Sequence, residues 1–594
     1  MANTSKNTSL RFFAFWAINA PLDEERLCKQ LDNMRRDGLD GVVFQPRFYP
    51  GDPAYLSDEY LRILSRVILY ARNCGLTFWL YDENGWPSGK ADGELLRNNP
   101  QAKGQILTLH HGKSSNAWYN FTYKGQQWHI QRQFKGINYL NPDVCHQFLQ
   151  LVHERYRDAL TPEAWNHVEA FFTDEPRLPQ GGKQCEGGAV CWNDSVPELY
   201  QARFGRDIYE DLPFVFLDGE NGAHEPVRQR FWECMTDQFC EGFLAPYQAW
   251  CQAEGKLFTG HLKGEEHPLF QVMLNGSCHQ AYRYFDIPGI DSLERFPNGE
   301  YYPRQAGSAA LQFGKGRAMA EVMGGSGWGT SPEDVERKFV WLTNHGITDL
   351  VIHLYQYRLH SAALRDWPPS HPNGFNWREI YPEVLAQVRK NTDTSLVNKA
   401  ETLVLAPYRG IMANYEPWSK PYCNEHNCAT YPDTYAGRLN TDFLELIEQL
   451  PAEHHFTDER SFEEFARVEN GCLVLGKHKY TSVIIPDGAD LKEAGNRLLN
   501  EFQTAGGTIL RRSDIDASRE DGPSEISQPS GNELEITWHE LTPPPTNALF
   551  LESAPDNDGK IWWQVTKFCR PSRRPPLKSM TVNGDSSRFS CHKA

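Results

Sequence analysis

Short apolar runs alternate with longer amphipathic stretches from residue 11 to about residue 400. Eight of these runs are rich in β-branched and aromatic residues and have the length of buried strands. They cover residues 12–19, 41–47, 76–82, 168–174, 257–262, 290–294, 317–323 and 349–357. The stretches between them show helical spacing of apolar positions. Eight strand-then-helix units predict an α/β fold, a (β/α)8 TIM barrel over residues 1–400.

The predicted helices carry start and stop signals that agree with this pattern. Ser57 and Ser331 precede early acidic residues, as N-cap residues do. Gly38, Gly75 and Gly346 each follow a helical stretch and precede the next predicted strand, where glycine commonly ends a helix.

Two insertions interrupt the barrel pattern. Residues 101–138 alternate polar and apolar positions and predict a small inserted β-subdomain, and residues 178–225 form a Gly/Pro-rich excursion. Insertions that follow a barrel strand fall on the catalytic face of the barrel. We therefore expect both of them to shape the substrate pocket.

A second pattern starts after the barrel. Residues 401–515 alternate strands and helices and predict a smaller doubly wound α/β domain, flavodoxin-like or glutaminase-like. Residues 512–533 have the composition of a linker. Residues 534–594 predict a short β-rich C-terminal segment and a tail, with no convincing pattern in the last 25 residues.

Composition and charge exclude several classes of function. The chain has 60 Lys and Arg against 77 Asp and Glu, a formal net charge of -17, which disfavours a nucleic-acid partner. No apolar run approaches the roughly 18 residues of a membrane span. The first 20 residues lack a basic n-region and a convincing cleavage site, so we expect no signal peptide and a cytoplasmic location.

The cysteines point the same way. The 14 cysteines are scattered with no C-x-x-C motif, which favours buried free thiols in a reducing compartment. The one cluster of note holds Cys423, His426 and Cys428. Its spacing fits no common zinc pattern and a fourth ligand is not evident, so a metal site there is the less favoured interpretation.

Polar residues at the C-terminal ends of barrel strands are the candidates for chemistry, because the rest of each strand is committed to packing. From the third strand to the eighth, these residues are Tyr81, Asp82, Glu83, Asp174, Glu175, His261, Lys263, Glu265, Asp291, Glu294, Glu321, His353, Tyr355 and Tyr357. Carboxylates dominate. Any one of them taken alone is most simply a loop cap or a surface ion pair, but their joint placement favours catalysis.

Glycoside hydrolysis needs one protonated and one ionised carboxyl group on either side of the scissile bond. Glu175 and Glu321 fall on the fourth and seventh predicted strands, which face each other across a barrel. We expect burial and the adjacent Asp174 to raise the pKa of Glu175, which makes it the acid. Glu321 enters a glycine-rich turn and is assigned as the general base or nucleophile.

Other residues have two open interpretations. The tryptophans Trp16, Trp86 and Trp328 are either sugar platforms or packing residues beside strand ends. The histidines His261 and His353 are either hydrogen-bonded pocket residues or direct participants. A purely metal-dependent hydrolase would place closely spaced histidines at the end of its first strand, and this chain does not.

Several strand-end motifs resemble the catalytic barrel of glycoside hydrolase family 106, whose known members are α-L-rhamnosidases. They are YDENGWPSG at 81–89, FFTDEP at 171–176, TGHLKGEE at 259–266, IPGID at 287–291 and AEVMGG at 320–325. The likeness covers residues 10 to 400. The domain that follows is similar to the one that trails the barrel in related β-galactosidase-like enzymes.

The resemblance implies an exo-acting hydrolase with strand-end carboxylates as acid and base, and it leaves inversion and calcium assistance open. It supports Glu175 and Glu321, and it makes Glu83, Glu265 and Glu294 candidates for sugar hydroxyls, the base role or a calcium ion. The chain departs from the family in lacking its large β-sandwich domains and export signal. We therefore expect a small glycoside rather than a polymer as substrate.

The sequence thus predicts a glycosidase that removes a terminal sugar, α-L-rhamnose in the simplest case, from a small oligosaccharide or glycoconjugate. The pocket is expected to contain Trp16, Tyr81, Asp82, Glu83, Trp86, Asp174, His261, Lys263, Glu265, Glu294, Trp328, His353, Tyr355 and Tyr357. The alternatives are an exo-glycosidase for another sugar, β-galactosidase-like or arabinosidase, and a non-catalytic carbohydrate-binding protein.

Overall fold

A computed structural model describes residues 10–179, 188–360, 362–393, 399–418, 434–450 and 453–515. It also describes the backbone of five short strands beyond residue 420, namely Tyr422–Cys423, Ala429–Thr430, Leu551–Pro555, Ile561–Val565 and Met580–Val582.

Eight parallel strands form the central sheet. In chain order, barrel strands 1 to 8 are Arg11–Ile18, Gly41–Pro46, Thr77–Tyr81, Val168–Asp174, Leu257–His261, Gly289–Ser292, Met319–Val322 and Asp349–Gln356. Their spatial order is 6-7-8-1-2-3-4-5. A bridge between Thr259 and Ile287 joins strand 5 to the segment just before strand 6, which nearly closes the sheet. The predicted (β/α)8 barrel is therefore confirmed.

Alternate residues of each strand point into the barrel, and those that point inward form an apolar core. Phe13, Phe15, Trp79, Phe172 and Met319 belong to this inner core and are fully buried. The residues between them face a second, larger core under the surrounding helices. Both faces of each strand are therefore buried, which explains why the sequence shows continuous apolar runs rather than alternation.

Helices cover the outside of the barrel. From the first strand to residue 391 they are Glu24–Arg36, Asp58–Asn73, Glu94–Asn98, Pro142–Leu151, His153–Ala159, Pro162–His167, Val196–Phe204, Ile208–Phe216, Glu225–Phe239, Ala245–Ala253, Pro268–Asn275, Cys278–Tyr282, Tyr301–Gln312, Pro332–Asn344 and Tyr381–Asn391. The expected caps are present. The Ser57 side chain accepts from the Tyr60 N–H, and Ser331 forms a capping box with Asp334.

The two insertions form one sheet. Strands Gln105–His111, Tyr119–Tyr123 and Gln126–Phe134 build the predicted β-subdomain. Ala189–Trp192 from the second insertion adds to its edge, antiparallel to Gln105–His111. The second insertion also contains two helices that its Gly/Pro content did not predict. The part of it at residues 180–187 lies outside the described residues.

A second parallel sheet follows the barrel, as predicted. Its strands pair in the order His454–Asp458, Thr402–Ala406, Ser482–Ile485 and Thr508–Arg511. The helices of this part, which we call the trailing domain (residues 401–515), are Tyr408–Asn414, Tyr435–Ile447, Glu459–Phe465 and Glu493–Thr504. A three-stranded antiparallel sheet of Ala466–Glu469, Cys472–Leu475 and His478–Tyr480 packs beside it.

The C-terminal segment has a small antiparallel sheet of its own, in which Ile561–Val565 pairs with both Leu551–Pro555 and Met580–Val582. The last of these strands falls in the stretch where the sequence showed no pattern. His426 and Cys428 lie outside the described residues, as does the part of the predicted linker beyond residue 515. Within the described part of the chain, no helix has the length and apolarity needed to cross a bilayer.

We predict that Gly260→Ala destabilises the barrel strongly. Gly260 has a φ of +129°, and a Cβ there would lie 1.9 Å from the Thr173 carbonyl oxygen on the neighbouring strand. The melting temperature should fall by an amount equivalent to about 3 kcal/mol or more. Gly255→Ala is the matched control, since Gly255 also has positive φ but open space around it. It should lose only about 1 kcal/mol, and equal losses in the two variants would contradict the clash.

Candidate active site

A layer of titratable side chains lies directly above the apolar barrel interior. The inward positions of strands 4, 7 and 8 are Phe172, Met319 and Val351 in the apolar core. Two residues further along each strand stand Asp174, Glu321 and His353. Strands 5 and 6 contribute His261 and Asp291 at the same level, since Asp174 pairs in register with His261, and Asp291 with Glu321. The carboxyl ends of five strands thus bring their polar residues together.

His261 lies at the centre of this layer. Its Nε2 is 2.9 Å from Glu321 Oε2 and 3.7 Å from Asp174 Oδ1. Burial alone would lower the pKa of His261, but the hydrogen bond to Glu321 and the neighbouring carboxyls of Asp291 and Asp174 raise it well above its usual value. The ring is therefore a cation at neutral pH. It donates a charge-assisted hydrogen bond to the Glu321 carboxyl group.

Asp174 is held from below by an aromatic hydroxyl. The Tyr81 OH donates to its Oδ2 at 2.6 Å. Burial raises the pKa of Asp174 to about 6, and Glu321 and Glu175 act in the same direction, against His261. Asp174 therefore exchanges its proton near neutral pH.

Glu175 is turned away from the strand direction by a left-handed backbone, with φ of +50°. Its carboxylate is paired with Lys263 at 2.7 Å and with Arg177 at 3.2 Å. Burial raises the pKa of Glu175, but Lys263, His261 and Arg177 outweigh it and hold the pKa below its usual value. The expectation that Glu175 has a raised pKa is therefore reversed, because the sequence did not show these two cations beside it.

Asp291 belongs to this site, although it was not among the residues predicted to form the pocket. It lies on strand 6, in register with Glu321 on strand 7. Its Oδ1 is buried and has no hydrogen-bond partner among the described residues. Burial and the adjacent Glu321 raise the pKa of Asp291 well above its usual value. The register of strand 6 with strand 7 was the signal that could have found it. Glu294, which was predicted for the pocket, lies three residues further along, beyond the end of strand 6 at Ser292.

The loop after strand 5 supplies Lys263 and Glu265. The Lys263 side chain is 46% exposed at the mouth of the site, with only its ammonium group tied to Glu175. Glu265 is buried, and its Oε1 accepts from the Leu262 N–H at 2.7 Å. Burial raises the pKa of Glu265 to about 8. It therefore shapes the loop, and its Oε1 lies 4.0 Å from His261 Nδ1.

His353, Trp86 and Trp328 also lie on this face of the barrel. His353 Nε2 is 3.9 Å from Glu321 Oε1, and burial lowers the pKa of this histidine to about 4, so its ring is neutral. Trp86 is half-buried under the Arg47 guanidinium, whose carbon is 4.0 Å from the ring centroid. Trp328 is half-buried and donates from its Nε1 to the Leu364 carbonyl at 3.3 Å. The two indoles remain candidates for sugar contact.

Three predicted pocket aromatics lie elsewhere. Trp16, Tyr355 and Tyr357 are buried in the outer core, between the strands and the helices. Trp16 Nε1 donates to Gln30 at 2.8 Å. The Tyr357 OH accepts from the Asp23 N–H at 3.0 Å. Trp16 and Tyr355 occupy outward positions of strands 1 and 8, and Tyr357 directly follows strand 8, so the structure does not place them in the pocket.

Asp82 and Glu83 also have structural partners. Asp82 is fully buried, and it accepts from Ser88 Oγ at 2.5 Å and from the Tyr247 OH, on an outer helix, at 2.9 Å. Glu83 accepts from four backbone N–H groups of its own loop, those of Asn84, Lys90, Ala91 and Asp92. The carboxylate of Glu83 therefore organises the loop that carries Trp86, and no lone pair is left over for a sugar.

Glu294 is set apart from the cluster. It adopts a left-handed conformation with φ of +66° after strand 6, and its N–H donates to the Gly324 carbonyl at 2.8 Å. Burial raises the pKa of Glu294 to about 7, against the ammonium group of Lys338 on a covering helix.

The donor set of this layer does not suit calcium. Among the described residues, the group that could hold a cation is Asp174, His261 and Glu321, with ligand atoms within 4.8 Å of one another. Calcium takes six to eight oxygen ligands, and here one of three donors is an imidazole nitrogen that already binds a carboxylate. Calcium assistance, which the family resemblance left open, finds no support in these side chains.

No family model matches the sequence, and no curated protein sequence matches it. Solved structures do match. The rhamnosidase from Novosphingobium sp. PP1Y has a TM-score of 0.56 at 11% identity, covering 87% of this chain and 70% of that chain. The β-galactosidase from the Antarctic haloarchaeon Halorubrum lacusprofundi has a TM-score of 0.53 at 12% identity, covering 84% and 72%. The β-galactosidase from Marinomonas ef1 has a TM-score of 0.54 at 11% identity, covering 84% and 75%. The TM-scores establish a shared fold, and at these sequence identities they establish the fold alone.

We predict that Asp291→Asn stabilises the protein at neutral and alkaline pH. The pKa of Asp291 is raised above the unfolded value of 3.8, so the folded state binds the proton more tightly and loses stability as the pH rises above that value. Asparagine keeps the shape and removes the titration. The melting temperature of the variant should exceed the wild type at pH 8 by about 2–4 °C, and the difference should vanish near pH 4.

Asp366→Asn is the control of opposite sign. Burial raises the pKa of Asp366, but the hydrogen bond and charge of Arg47 outweigh it and lower the pKa. That variant should lose stability at neutral pH, and the loss should shrink at low pH. A fall in the melting temperature of Asp291→Asn at pH 8 would contradict the protonated state assigned to Asp291.

Proposed function

We propose that this protein is an exo-acting glycoside hydrolase that removes a terminal sugar from a small glycoside. The observation that carries the proposal is the polar layer above the barrel core. It places the Glu321 carboxyl group, hydrogen-bonded to His261, on strand 7 and a second carboxyl group, that of Glu175, directly after strand 4. Glycoside hydrolysis needs two carboxyl groups in different environments on either side of the scissile bond.

The sugar is the finer part of the proposal. The family 106 motifs favour α-L-rhamnose, and the fold is shared with a rhamnosidase and with β-galactosidases. A β-galactosidase-like activity is therefore the second candidate. The half-buried indoles of Trp86 and Trp328 offer flat apolar faces on the same side of the barrel, which suits a sugar ring of either kind.

We assign Glu321 as the nucleophile or general base. The His261 ring donates to its Oε2 at 2.9 Å, a charge-assisted hydrogen bond that fixes the orientation of this carboxyl group. The register partner Asp291, whose pKa is raised, adds no negative charge while it stays protonated. The proposed role requires a negative charge on Glu321 beside an oxocarbenium-like transition state.

We assign Glu175 as the general acid, with a condition that its ion pairs impose. An acid must carry its proton before it can donate it, and Lys263 and Arg177 favour the ionised form. The protonated fraction of Glu175 grows as the pH falls. The proposal therefore implies an enzyme that works best on the acidic side of neutrality.

Asp174 is the alternative acid. Its pKa of about 6 suits proton donation, but the Tyr81 hydroxyl and the His261 ring occupy its carboxylate from inside the protein. Glu175 is paired with Lys263, whose side chain is 46% exposed, whereas the partners of Asp174 are buried. This geometry favours Glu175.

We predict that Glu175→Gln and Glu321→Gln each lower kcat by about 10³-fold or more without unfolding the protein. The assay is turnover of purified protein on a panel of aryl glycosides that includes α-L-rhamnoside and β-D-galactoside. Glu294→Gln is the matched control, because Glu294 lies on the same face outside the cluster, and it should retain activity. Wild-type turnover in either cluster variant would remove that residue from the catalytic pair. Absence of turnover on every substrate, with tight sugar binding, would favour the carbohydrate-binding alternative.

We predict that Lys263→Met moves the alkaline limb of the kcat/KM profile to higher pH. Removing the ammonium group removes the largest favourable interaction of the ionised Glu175, so the pKa of Glu175 rises and the acid stays protonated to higher pH. The measurement is kcat/KM from pH 3 to pH 9 on the best substrate. If Asp174 is the acid instead, the alkaline limb of Lys263→Met should stay where it is in the wild type, and that of Asp174→Asn should disappear.

A further inference from the structure

The trailing domain presents the carboxyl ends of its parallel strands to the barrel. In doubly wound sheets this end usually holds a ligand. Here the space is closed by barrel side chains, and the cavity that remains among Glu233, Gln280, Arg409 and Asp458 has a volume of about 20 Å³, enough for one water molecule. This end of the sheet therefore contacts the barrel, and the space left there among the described residues is too small for an organic ligand.

A buried polar network crosses this contact. Tyr408 begins the first helix of the trailing domain, and its OH donates to Oε1 of Gln271. Gln305 and Tyr301, on a barrel helix, lie 2.6 Å and 3.0 Å from the same hydroxyl. All four side chains are at most 2% exposed. A network of this kind fixes its members because an unpaired buried polar group is costly.

The network continues to the catalytic face through Gln271. Its Nε2 donates to the Glu265 carbonyl oxygen at 2.5 Å. The Glu265 carboxylate accepts from the Leu262 N–H at 2.7 Å, and Asn275 Nδ2 donates to the Lys263 carbonyl at 2.6 Å. The loop of residues 262–267, which we call the strand 5 loop, is thus held on both sides of Lys263.

The strand 5 loop in turn sets the position of the Lys263 ammonium group. Lys263 Nζ is 2.7 Å from Glu175 Oε1, and the Lys263 side chain is 46% exposed. A shift of the loop backbone would therefore lengthen this ion pair directly. Distances of this kind decide catalytic geometry, where a displacement of about 1 Å can change a rate 10²-fold.

The trailing domain makes a second contact with the same helix. Asn440, fully buried on the helix Tyr435–Ile447, accepts through its Oδ1 from the Leu269 N–H at 3.1 Å. Leu269 stands in the first turn of Pro268–Asn275, the helix that carries Gln271. Both contacts reach the helix that follows the strand 5 loop.

We propose that Tyr408 of the trailing domain is a positioning residue for the catalytic face: through Gln271 it holds the strand 5 loop so that Lys263 stays paired with Glu175. The kinetic consequence rests on the proposed hydrolase function, whereas the structural consequence does not.

The test compares two tyrosine hydroxyls of the trailing domain. Tyr408→Phe removes the hydroxyl that reaches Gln271. Tyr480→Phe is the matched control, because the Tyr480 OH is also buried and also binds a barrel glutamine, Gln312, at 3.1 Å, but that residue lies at the far end of another helix. Hydrogen exchange of the full chain is followed in peptides that cover residues 262–267, and kcat/KM is measured against pH.

We expect Tyr408→Phe to speed hydrogen exchange in the strand 5 loop about fivefold or more, because the variant loses one buried hydrogen bond. We expect Tyr480→Phe to leave exchange in this loop unchanged. We also expect Tyr408→Phe to lower kcat about tenfold and to move the alkaline limb of kcat/KM in the same direction as Lys263→Met. A merely structural role would lower the melting temperature of both variants alike and move neither readout.

Several charged groups face Glu175 and affect its pKa, and through it the pH profile of kcat/KM. They are Lys263, Arg177 and His261 as cations, with Asp174, Glu266 and Asp291 as acids. Among these, Lys263 and Glu266 lie on the strand 5 loop. Loosening of the loop changes their distances to Glu175 and leaves the strand-borne groups in place.

Unchanged exchange in residues 262–267 of folded Tyr408→Phe would overturn the proposal, whatever the activity. Faster exchange in a protein without glycosidase activity would support the positioning role and contradict the proposed function. If Tyr408→Phe does not fold, Asn440→Ala replaces it, because it removes the second contact with the same helix. Unchanged exchange in that variant would likewise overturn the proposal.

Discussion

Alternate residues of each barrel strand point into the barrel, and this two-residue period fixes where the chemistry of the protein lies. The interior is filled by aromatic and aliphatic side chains as far as Phe172 and Met319. The next inward positions, Asp174 and Glu321, are therefore the first that are free to be polar. Because neighbouring strands are in register, the layer assembles without any long loop having to bring its members together.

Placing several carboxyl groups in one buried layer creates a charge problem that the site resolves in two ways. Cations pair with some of the acids, as His261 does with Glu321 and Lys263 with Glu175. Burial and like charges raise the pKa of the others, as at Asp291. The pKa values of Glu175 and Asp291 are therefore shifted in opposite directions within one layer.

The trailing domain packs directly against the barrel. Its parallel sheet turns its carboxyl ends toward the barrel, and Tyr408 and Asn440 contact the helix behind the strand 5 loop. A domain that in other proteins would bind a ligand at this end instead supports the loop that carries Lys263. The polar groups at this contact are buried and paired, which makes it specific for one arrangement of the two parts.

The sequence by itself determined the barrel, its eight strands and the small trailing sheet, because apolar runs and helix caps are local signals that burial of both strand faces makes strong. It also located Asp174, Glu175, His261 and Glu321 at strand ends. Only the tertiary structure decided which strand-end residues face inward. Trp16, predicted for the pocket, lies in the outer core, and Asp291, which was not predicted for it, lies in the site. The tertiary structure also reversed the expected pKa of Glu175, since that shift depends on cations from another loop, and the distance between charges is fixed only when the chain is folded.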